Sequence, residues 1–282
     1  MFFNFNVHIN LIEMSEQNSS DEDTKTSDLV EEIEVKQTED EETEEAISEI
    51  KEQKEVEDKI DIENLIERYK NTNKNKERAK IIDQISEHLD NKQIKELLIQ
   101  IVMNDKYPLC RAKAVSNLGY WIEEEEIREI ILKKLTDISP KVRLWVIWTL
   151  RPVIRLKEIQ EKIINQIKFI EKSRQIKLWM IRILSDQIDD PYIQETFLFF
   201  FRLHQDTETK KLLLYYLLQK IENEDILFTI SRHVQYEKNS EIRLEIVKRL
   251  LSVDEPDVKY ILEKLSKTER NKEILELLRI TL

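Results

Sequence analysis

The sequence is poor in glycine, cysteine and proline. Its 282 residues include one Gly, one Cys and five Pro. A single glycine excludes G-x-G-x-x-G loops, phosphate-binding P-loops and the G-x-S-x-G nucleophile turn, because each of these motifs needs more than one. A single cysteine, Cys110, excludes an internal disulfide framework and suits a reducing compartment. We therefore expect a cytoplasmic protein without disulfide bonds.

Long apolar runs and catalytic motifs are missing as well. No apolar segment approaches the ~20 residues that span a bilayer, so we expect no membrane contact. The four histidines, His8, His88, His204 and His233, have no companion at the H-x-x-x-H, H-E-x-x-H or C-x-x-C spacings typical of metal sites. The sequence therefore predicts a protein that is not an enzyme, with no catalytic residue, no metal and no cofactor.

Acidic residues are concentrated in the N-terminal segment. Residues 1–58 contain four Lys and 20 Asp or Glu, whereas residues 59–282 contain 41 basic and 37 acidic residues. The first segment has low complexity and no aromatic residue after Phe5, so it cannot bury enough apolar surface to offset the entropy lost on ordering. We predict that residues 1–58 are disordered. Their net charge of −16 should attract them to the folded part, whose net charge is +4.

The start of the chain, residues 1–13, differs from the acidic stretch that follows it. It reads MFFNFNVHINLIE, which is apolar but has no basic n-region and no small-residue cleavage site. The pattern is therefore a poor match to a signal peptide. After Met14 the sequence SEQNSSDED is typical of an ordinary acidic N-terminus. We expect Met14 rather than Met1 to be the true start, with residues 1–13 a misassigned extension.

The rest of the chain is built from a recurring pattern. Its fullest copy, DISPKVRLWVIWTLR, begins at Asp137 and matches DKYPLCRAKAVSNLGYW, which begins at Asp105. A basic residue recurs at nearly equal intervals along the chain. These basic residues are Arg78, Arg111, Arg143, Lys177, Lys211 and Arg243. A near-constant period of about 33 residues is typical of stacked repeats.

Each repeat is predicted to form two antiparallel helices. In the fullest copy Pro140 suits the first position of the second helix, and Ser139 is predicted to cap that helix with its side chain. Ser173 is predicted to do the same one repeat later. From Val142 to Leu150 the apolar residues follow a helical spacing, which places them on one face toward a core. The same pattern of helix starts and apolar residues continues along the chain and predicts about seven helix pairs.

The order of acid, helix start, apolar residue, Arg, two variable residues, two small or apolar residues and Leu resembles HEAT repeats. It is most similar to the short, PBS-lyase-type variety of bacterial and archaeal proteins. The resemblance covers about residues 59–282 and implies an all-α fold, an α-solenoid of about seven stacked antiparallel helix pairs. It also implies a ladder of acids and bases between neighbouring repeats. Here that ladder would consist of Asp105, Arg111, Asp137, Arg143, Glu171, Lys177, Glu237 and Arg243.

The second helices are predicted to carry the binding surface, because this row lines the concave side of HEAT-like proteins. In three middle repeats the variable positions hold Trp145, Trp148, Trp179, Arg182 and Tyr216. Aromatic residues next to Arg are favoured at protein interfaces, so we predict an interaction groove. The alternative is that these rings pack against neighbouring helices and belong to the core.

Three functions are compatible with this surface. The leading hypothesis is a non-enzymatic scaffold that binds a partner protein. The second is a nucleic-acid-binding protein similar in outline to DNA glycosylases built of HEAT-like repeats, with Asp83 or Glu245 as the carboxylate. A net charge of +4 is low for a DNA-binding domain. The third is a protein similar to the lyases that attach bilins to phycobiliproteins, some of which contain short HEAT-like repeats.

Overall fold

The structure, a computed structural model, describes residues 61–203 and 206–281. The predictions for residues 1–58 lie outside this part of the chain; they concern disorder, attraction to the folded part and the start at Met14. Within the described ranges the backbone forms 14 α-helices and no strand. None of these helices is both long enough and apolar enough to cross a bilayer.

In the described part of the chain the helices follow one another in seven pairs. The first helices are α1 (residues 61–71), α3 (Lys92–Asn104), α5 (Glu125–Lys133), α7 (Lys157–Asn165), α9 (Pro191–Leu203), α11 (Glu224–His233) and α13 (Pro256–Ser266). The second helices are α2 (Asn75–Ile85), α4 (Pro108–Leu118), α6 (Pro140–Leu150), α8 (Arg174–Leu184), α10 (Thr207–Leu218), α12 (Ser240–Leu250) and α14 (Lys272–Thr281). Each second helix contacts the next, from α2 to α14. The predicted α-solenoid is therefore confirmed.

The apolar stripe of α6 shows why the second helices stack. Val142, Val146, Ile147 and Leu150 are all 0% exposed. Helix α6 contacts its pair partner α5 and also α4 and α8, so these side chains are covered from several directions. Full burial of one such side chain contributes about 2 kcal/mol to the stability of the fold. The stripe read from the sequence is thus part of the core.

The starts of α6 and α8 are stabilised in a different way from the one predicted. Ser139 and Ser173 occupy the capping position, but neither side chain accepts a hydrogen bond from the helix. Instead, the carboxylates of Asp137 and Glu171 accept hydrogen bonds from the backbone N–H groups of Ser139 and Ser173, at 2.9 and 2.7 Å. A negative charge at this end also suits the helix dipole. Pro140 fills the first helical position, as predicted.

An ion pair joins the third repeat to the fourth. Arg143 donates from Nε and Nη2 to the two carboxylate oxygens of Glu171, at 2.7 and 2.9 Å. Its Nη1 donates to the backbone carbonyl of Asp137 in its own repeat, at 2.8 Å. The side chain of Glu171 is only 1% exposed. One guanidinium therefore links the turn of its own repeat to the turn of the following repeat.

The same kind of contact recurs along the solenoid, and we call it the ladder. Its pairs are Arg78–Asp105, Arg111–Asp137, Arg143–Glu171, Lys210–Glu237 and Arg243–Glu269. In each pair the basic residue belongs to a second helix, and the acid lies in the turn before the second helix of the next repeat. Bidentate pairing of Arg with a carboxylate fixes direction as well as distance.

Two basic residues differ from the sequence prediction. Lys177 forms no ion pair with a residue in the described ranges. In the next repeat the sequence has the uncharged Gln205 where the other repeats have an acid six residues before the basic residue. Lys210 rather than Lys211 reaches Glu237, at 2.7 Å. Lys211 is exposed and pairs elsewhere. Because adjacent residues point about 100° apart on a helix, a shift of one residue turns Lys211 toward solvent.

Two carboxylates of the ladder have a strongly lowered pKa. Burial alone would raise the pKa of Glu237, but a backbone N–H, the ammonium of Lys210 and the ring of His233 outweigh burial and lower it to about 2. The hydrogen bonds from the guanidinium of Arg243 are the main reason why the pKa of Glu269 is also lowered to about 2. Both values start from an ordinary pKa of 4.5, so both groups stay ionised near neutral pH.

Loss of one ladder residue is expected to cost far more stability than loss of an exposed charge on the same helix. Arg143→Ala leaves the buried carboxylate of Glu171 without a counter-ion, which should lower the free energy of unfolding by about 3 kcal/mol. Lys141→Ala, at an exposed position of α6, should change it by less than about 0.5 kcal/mol. Urea unfolding followed by far-UV circular dichroism measures both. Equal effects of the two substitutions would contradict the role given to the ladder.

Stability is also expected to decrease in acid. A carboxylate whose pKa is lowered by folding stabilises the folded state above the pKa of the unfolded chain, and this contribution is lost as the pH falls through the folded pKa. For Glu237 and Glu269 the loss should extend from about pH 5 to about pH 2. The urea midpoint, measured across this range, should fall accordingly. Glu269→Gln should start from a lower midpoint and decline less steeply; an unchanged slope would count against this assignment.

Candidate functional site

A pocket opens on three adjacent second helices. Its walls include Trp148 of α6, Trp179 and Arg182 of α8, and Tyr216 of α10, and we call this group the aromatic pocket. The volume of the cavity is about 340 Å³. Trp148, Arg182 and Tyr216 occupy equivalent positions of three successive repeats, because the two intervals between them along the chain are equal. Stacking of the repeats therefore brings these three side chains together.

The walls of the aromatic pocket are held by contacts among the rings. The ring centroids of Trp148 and Trp179 lie 4.6 Å apart, with their planes tilted by 55°. The guanidinium carbon of Arg182 lies 4.7 Å from the ring centroid of Trp179, within the range of a cation–π interaction. Tyr216 is supported by the buried Phe197, at 6.1 Å between ring centroids. These side chains are therefore positioned by the protein itself.

Trp145 does not line the aromatic pocket, although the sequence grouped it with the other residues. It precedes Trp148 by three residues, which is about 4.5 Å along the helix axis, and it packs half-buried against the hydrophobic core. Trp179 and Tyr216 also contact the core while they line the cavity. A ring that packs against the core can therefore also line the cavity, so the two interpretations of these aromatic residues do not exclude each other.

An acid at the pocket was missed by the sequence reasoning. Nε of Arg151 donates to Oδ2 of Asp186 at 2.7 Å, and its Nη2 donates to Oδ1 at 3.3 Å. This hydrogen bonding is the main reason why the pKa of Arg151 is raised. The guanidinium carbon of Arg151 also lies 5.9 Å from the ring centroid of Trp148. Asp186 belongs to a 3₁₀ turn after α8. Its spacing of 35 residues from Arg151 is close to the repeat period, and this was the one sequence feature that could have indicated their contact.

The reactive side chains elsewhere have structural contacts. Cys110 is buried, and burial raises the pKa of its thiol to about 11, so the thiol is protonated at neutral pH. Nε2 of His233 lies 2.8 Å from Glu237 of the ladder, and Nε2 of His88 lies 3.7 Å from Asp61. Across residues 61–203 and 206–281, no three His, Cys, Asp or Glu side chains come together as a metal site.

The carboxylates considered for a glycosylase-like reaction lie away from the aromatic pocket. Asp83 of α2 pairs with Lys113, and Glu245 of α12 lies 3.6 Å from Lys248. Neither carboxylate lines the cavity. The acid that does line it, Asp186, is already held by an arginine. The described residues therefore place no unpaired carboxylate against the tryptophans.

No protein-family model and no curated protein matches this sequence. Among solved structures, the archaeal HEAT-like repeats protein from Thermococcus onnurineus NA1 is 15% identical, with a TM-score of 0.42 over 77% of this chain and 94% of that one. The complex of CpcE and CpcF of phycocyanin lyase from Nostoc sp. PCC7120 is 12% identical, with a TM-score of 0.38 over 77% of this chain and 93% of that one. Human deoxyhypusine hydroxylase in complex with glycerol is 12% identical, with a TM-score of 0.35 over 72% and 77%.

The chain folds as a HEAT-like α-solenoid. This description rests on its own stacked helix pairs and on the acid–base ladder between them. The similarities to solved structures concern the fold alone, and the function of a protein depends on its sites rather than on its fold.

The contact between Trp148 and Trp179 is expected to stabilise the protein. Aromatic pairs at this distance contribute about 1 kcal/mol beyond the area that they bury. In a double-mutant cycle of Trp148→Ala and Trp179→Ala, urea unfolding should therefore give a coupling of about 1 kcal/mol. A control cycle of Trp148→Ala with Tyr260→Ala, on the distant helix α13, should be additive. Additivity in the tryptophan cycle would show that the two rings do not stabilise each other.

Proposed function

We propose that this protein is a non-enzymatic interaction scaffold that binds a partner protein through the aromatic pocket. The observation that supports this most strongly is the composition of the pocket walls. Three partly buried aromatic side chains and two arginines from adjacent repeats surround one cavity. Trp, Tyr and Arg are the residue types that contribute most to binding energy at protein interfaces, particularly where they cluster.

The pocket is also prepared for binding before a partner arrives. The ladder joins α6 to the repeats on both sides of it through Arg111–Asp137 and Arg143–Glu171. The ring contacts and the pair between Arg151 and Asp186 then hold the side chains in place. Side chains that are already ordered lose little further entropy on association, which favours binding.

The ionisable groups at the pocket support recognition rather than a reaction. Arg151 and Asp186 hold each other, and arginine stays protonated at all physiological pH values. A general acid or base needs a pKa close to the working pH, and the hydrogen bonds to Asp186 raise the pKa of Arg151 further away from that range. We also propose a cytoplasmic location, because the one cysteine of the chain, Cys110, is a buried free thiol that suits a reducing compartment.

Affinity capture with the tagged full-length protein tests the scaffold function. The bait is incubated with a lysate of its native cells at moderate salt, and retained proteins are quantified by mass spectrometry. The double variant Trp148→Ala/Trp179→Ala should reduce retention of a specific partner at least about tenfold, because loss of interface hot spots costs about 2 kcal/mol or more each. Tyr260→Ala, which removes an exposed aromatic side chain from α13, should retain the partner.

The outcomes separate the possible functions. Circular dichroism must show that the double variant is folded, since the tryptophans also contribute to packing. If all three baits retain the same proteins in equal amounts, the aromatic pocket is not the binding surface. If nuclease treatment removes the retained material, the partner is a nucleic acid and the second hypothesis replaces the first.

A further inference from the structure

The aromatic pocket contains a guanidinium group that is available to a ligand. Arg182 stacks on Trp179, yet within residues 61–203 and 206–281 it donates no side-chain hydrogen bond and forms no ion pair. Arg151 differs, because both carboxylate oxygens of Asp186 accept hydrogen bonds from it. A guanidinium carries five N–H donors in one plane, so its edge can bind an anion while its face rests on a ring.

The charge at the aromatic pocket favours an anionic group. Arg151 and Arg182 line the cavity together with one acid, Asp186. A carboxylate beside Arg182 would balance the remaining positive charge, and hydrogen bonds between two charged groups are stronger than those between neutral groups. A lysine or arginine of a partner would instead meet an uncompensated like charge, which is unfavourable at an interface.

The other walls favour a large apolar side chain. Trp148, Trp179 and Tyr216 supply aromatic surface, and Ile188 lies beside them in the lining of the cavity. A volume of about 340 Å³ is at the small end of the range for ligand sites, which suits side chains of a peptide better than a large cofactor. Because Arg182 lies directly against Trp179, the apolar and the anionic groups of a ligand have to be close neighbours.

We propose that the aromatic pocket binds a segment of a partner protein in which Asp or Glu stands next to Phe, Leu or another large apolar residue. The apolar side chain packs against the rings of Trp148, Trp179 and Tyr216. The carboxylate accepts hydrogen bonds from the guanidinium of Arg182. This inference rests on the proposed function and specifies the partner class that the same pocket recognises.

A selection from phage-displayed random linear peptides tests this specificity with the full-length protein as bait. The parent protein should enrich peptides that carry an acid beside a large apolar residue. Arg182→Gln should keep the apolar preference and lose the preference for an acid. Arg174→Gln removes one charge from an exposed position at the start of the same helix, α8, and should select the same peptides as the parent.

Affinities of matched synthetic peptides make the test quantitative. One enriched peptide is compared with a copy in which Gln replaces the acid. The parent and Arg174→Gln should bind the acidic peptide about tenfold more tightly than its copy, a ratio typical of one hydrogen bond between charged groups. Arg182→Gln, checked for folding by circular dichroism, should bind the two peptides equally well.

Two sets of outcomes overturn different parts of the argument. If Trp179→Ala abolishes enrichment, but the parent selects peptides without an acid or Arg182→Gln keeps the preference for one, the pocket binds protein segments and the inference about the carboxylate is wrong. If no peptide is enriched, or the Trp179→Ala variant enriches the same peptides as the parent, the aromatic pocket is not a peptide site. The inference then fails, whereas affinity capture decides the proposed function separately, because a folded partner can bind at the pocket without a linear segment.

Discussion

The structure depends on a hydrogen-bonded ion pair that spans neighbouring repeats. Arg143 holds both carboxylate oxygens of Glu171 and, through its third nitrogen, a backbone carbonyl of its own repeat. The carboxylate in turn accepts a hydrogen bond from the backbone N–H of Ser173, just ahead of α8. One contact thus sets the position of one turn and the start of the next second helix. The contact recurs between most neighbouring repeats, and equivalent residues of the second helices become neighbours. Between α8 and α10, where Lys177 forms no such pair within the described ranges, the two helices still contact each other directly.

Much of this fold follows from the period of the sequence. The recurring Arg, the Pro at position 140 and the apolar stripe of α6 were sufficient to predict helix pairs and their stacking. Two details were beyond a linear pattern. Lys210 and Lys211 are both basic, so only the rotation of α10 decides which of them reaches Glu237. At the start of α6 the carboxylate of Asp137 accepts a hydrogen bond from the backbone N–H of Ser139. The sequence did not indicate this contact, because serine is itself a common capping residue and Ser139 was the expected cap.

The candidate site could be predicted where it lies on helices. The same position of three successive repeats is occupied by Trp148, Arg182 and Tyr216. Because the repeats stack, their equal spacing along the sequence was enough to predict that these side chains lie close together. Asp186, however, lies in the turn that follows α8. Helical periodicity does not extend into this turn, so it could not predict that the Asp186 side chain faces the pocket. Trp145 was grouped with Trp148 because both occupy variable positions of the repeat. Only the helices packed around α6 determine which of the two reaches the cavity.

The tilted pair of tryptophans has an optical consequence. Two indoles whose centroids are 4.6 Å apart and whose planes are inclined by 55° couple their electronic transitions. The circular dichroism that results from this coupling depends on the distance between the two transition dipoles and on their relative orientation. A side chain that enters against the rings replaces water around the two indoles and thereby changes their near-ultraviolet absorption and circular dichroism. The aromatic pocket therefore carries its own chromophore for occupancy, without a label attached to the protein.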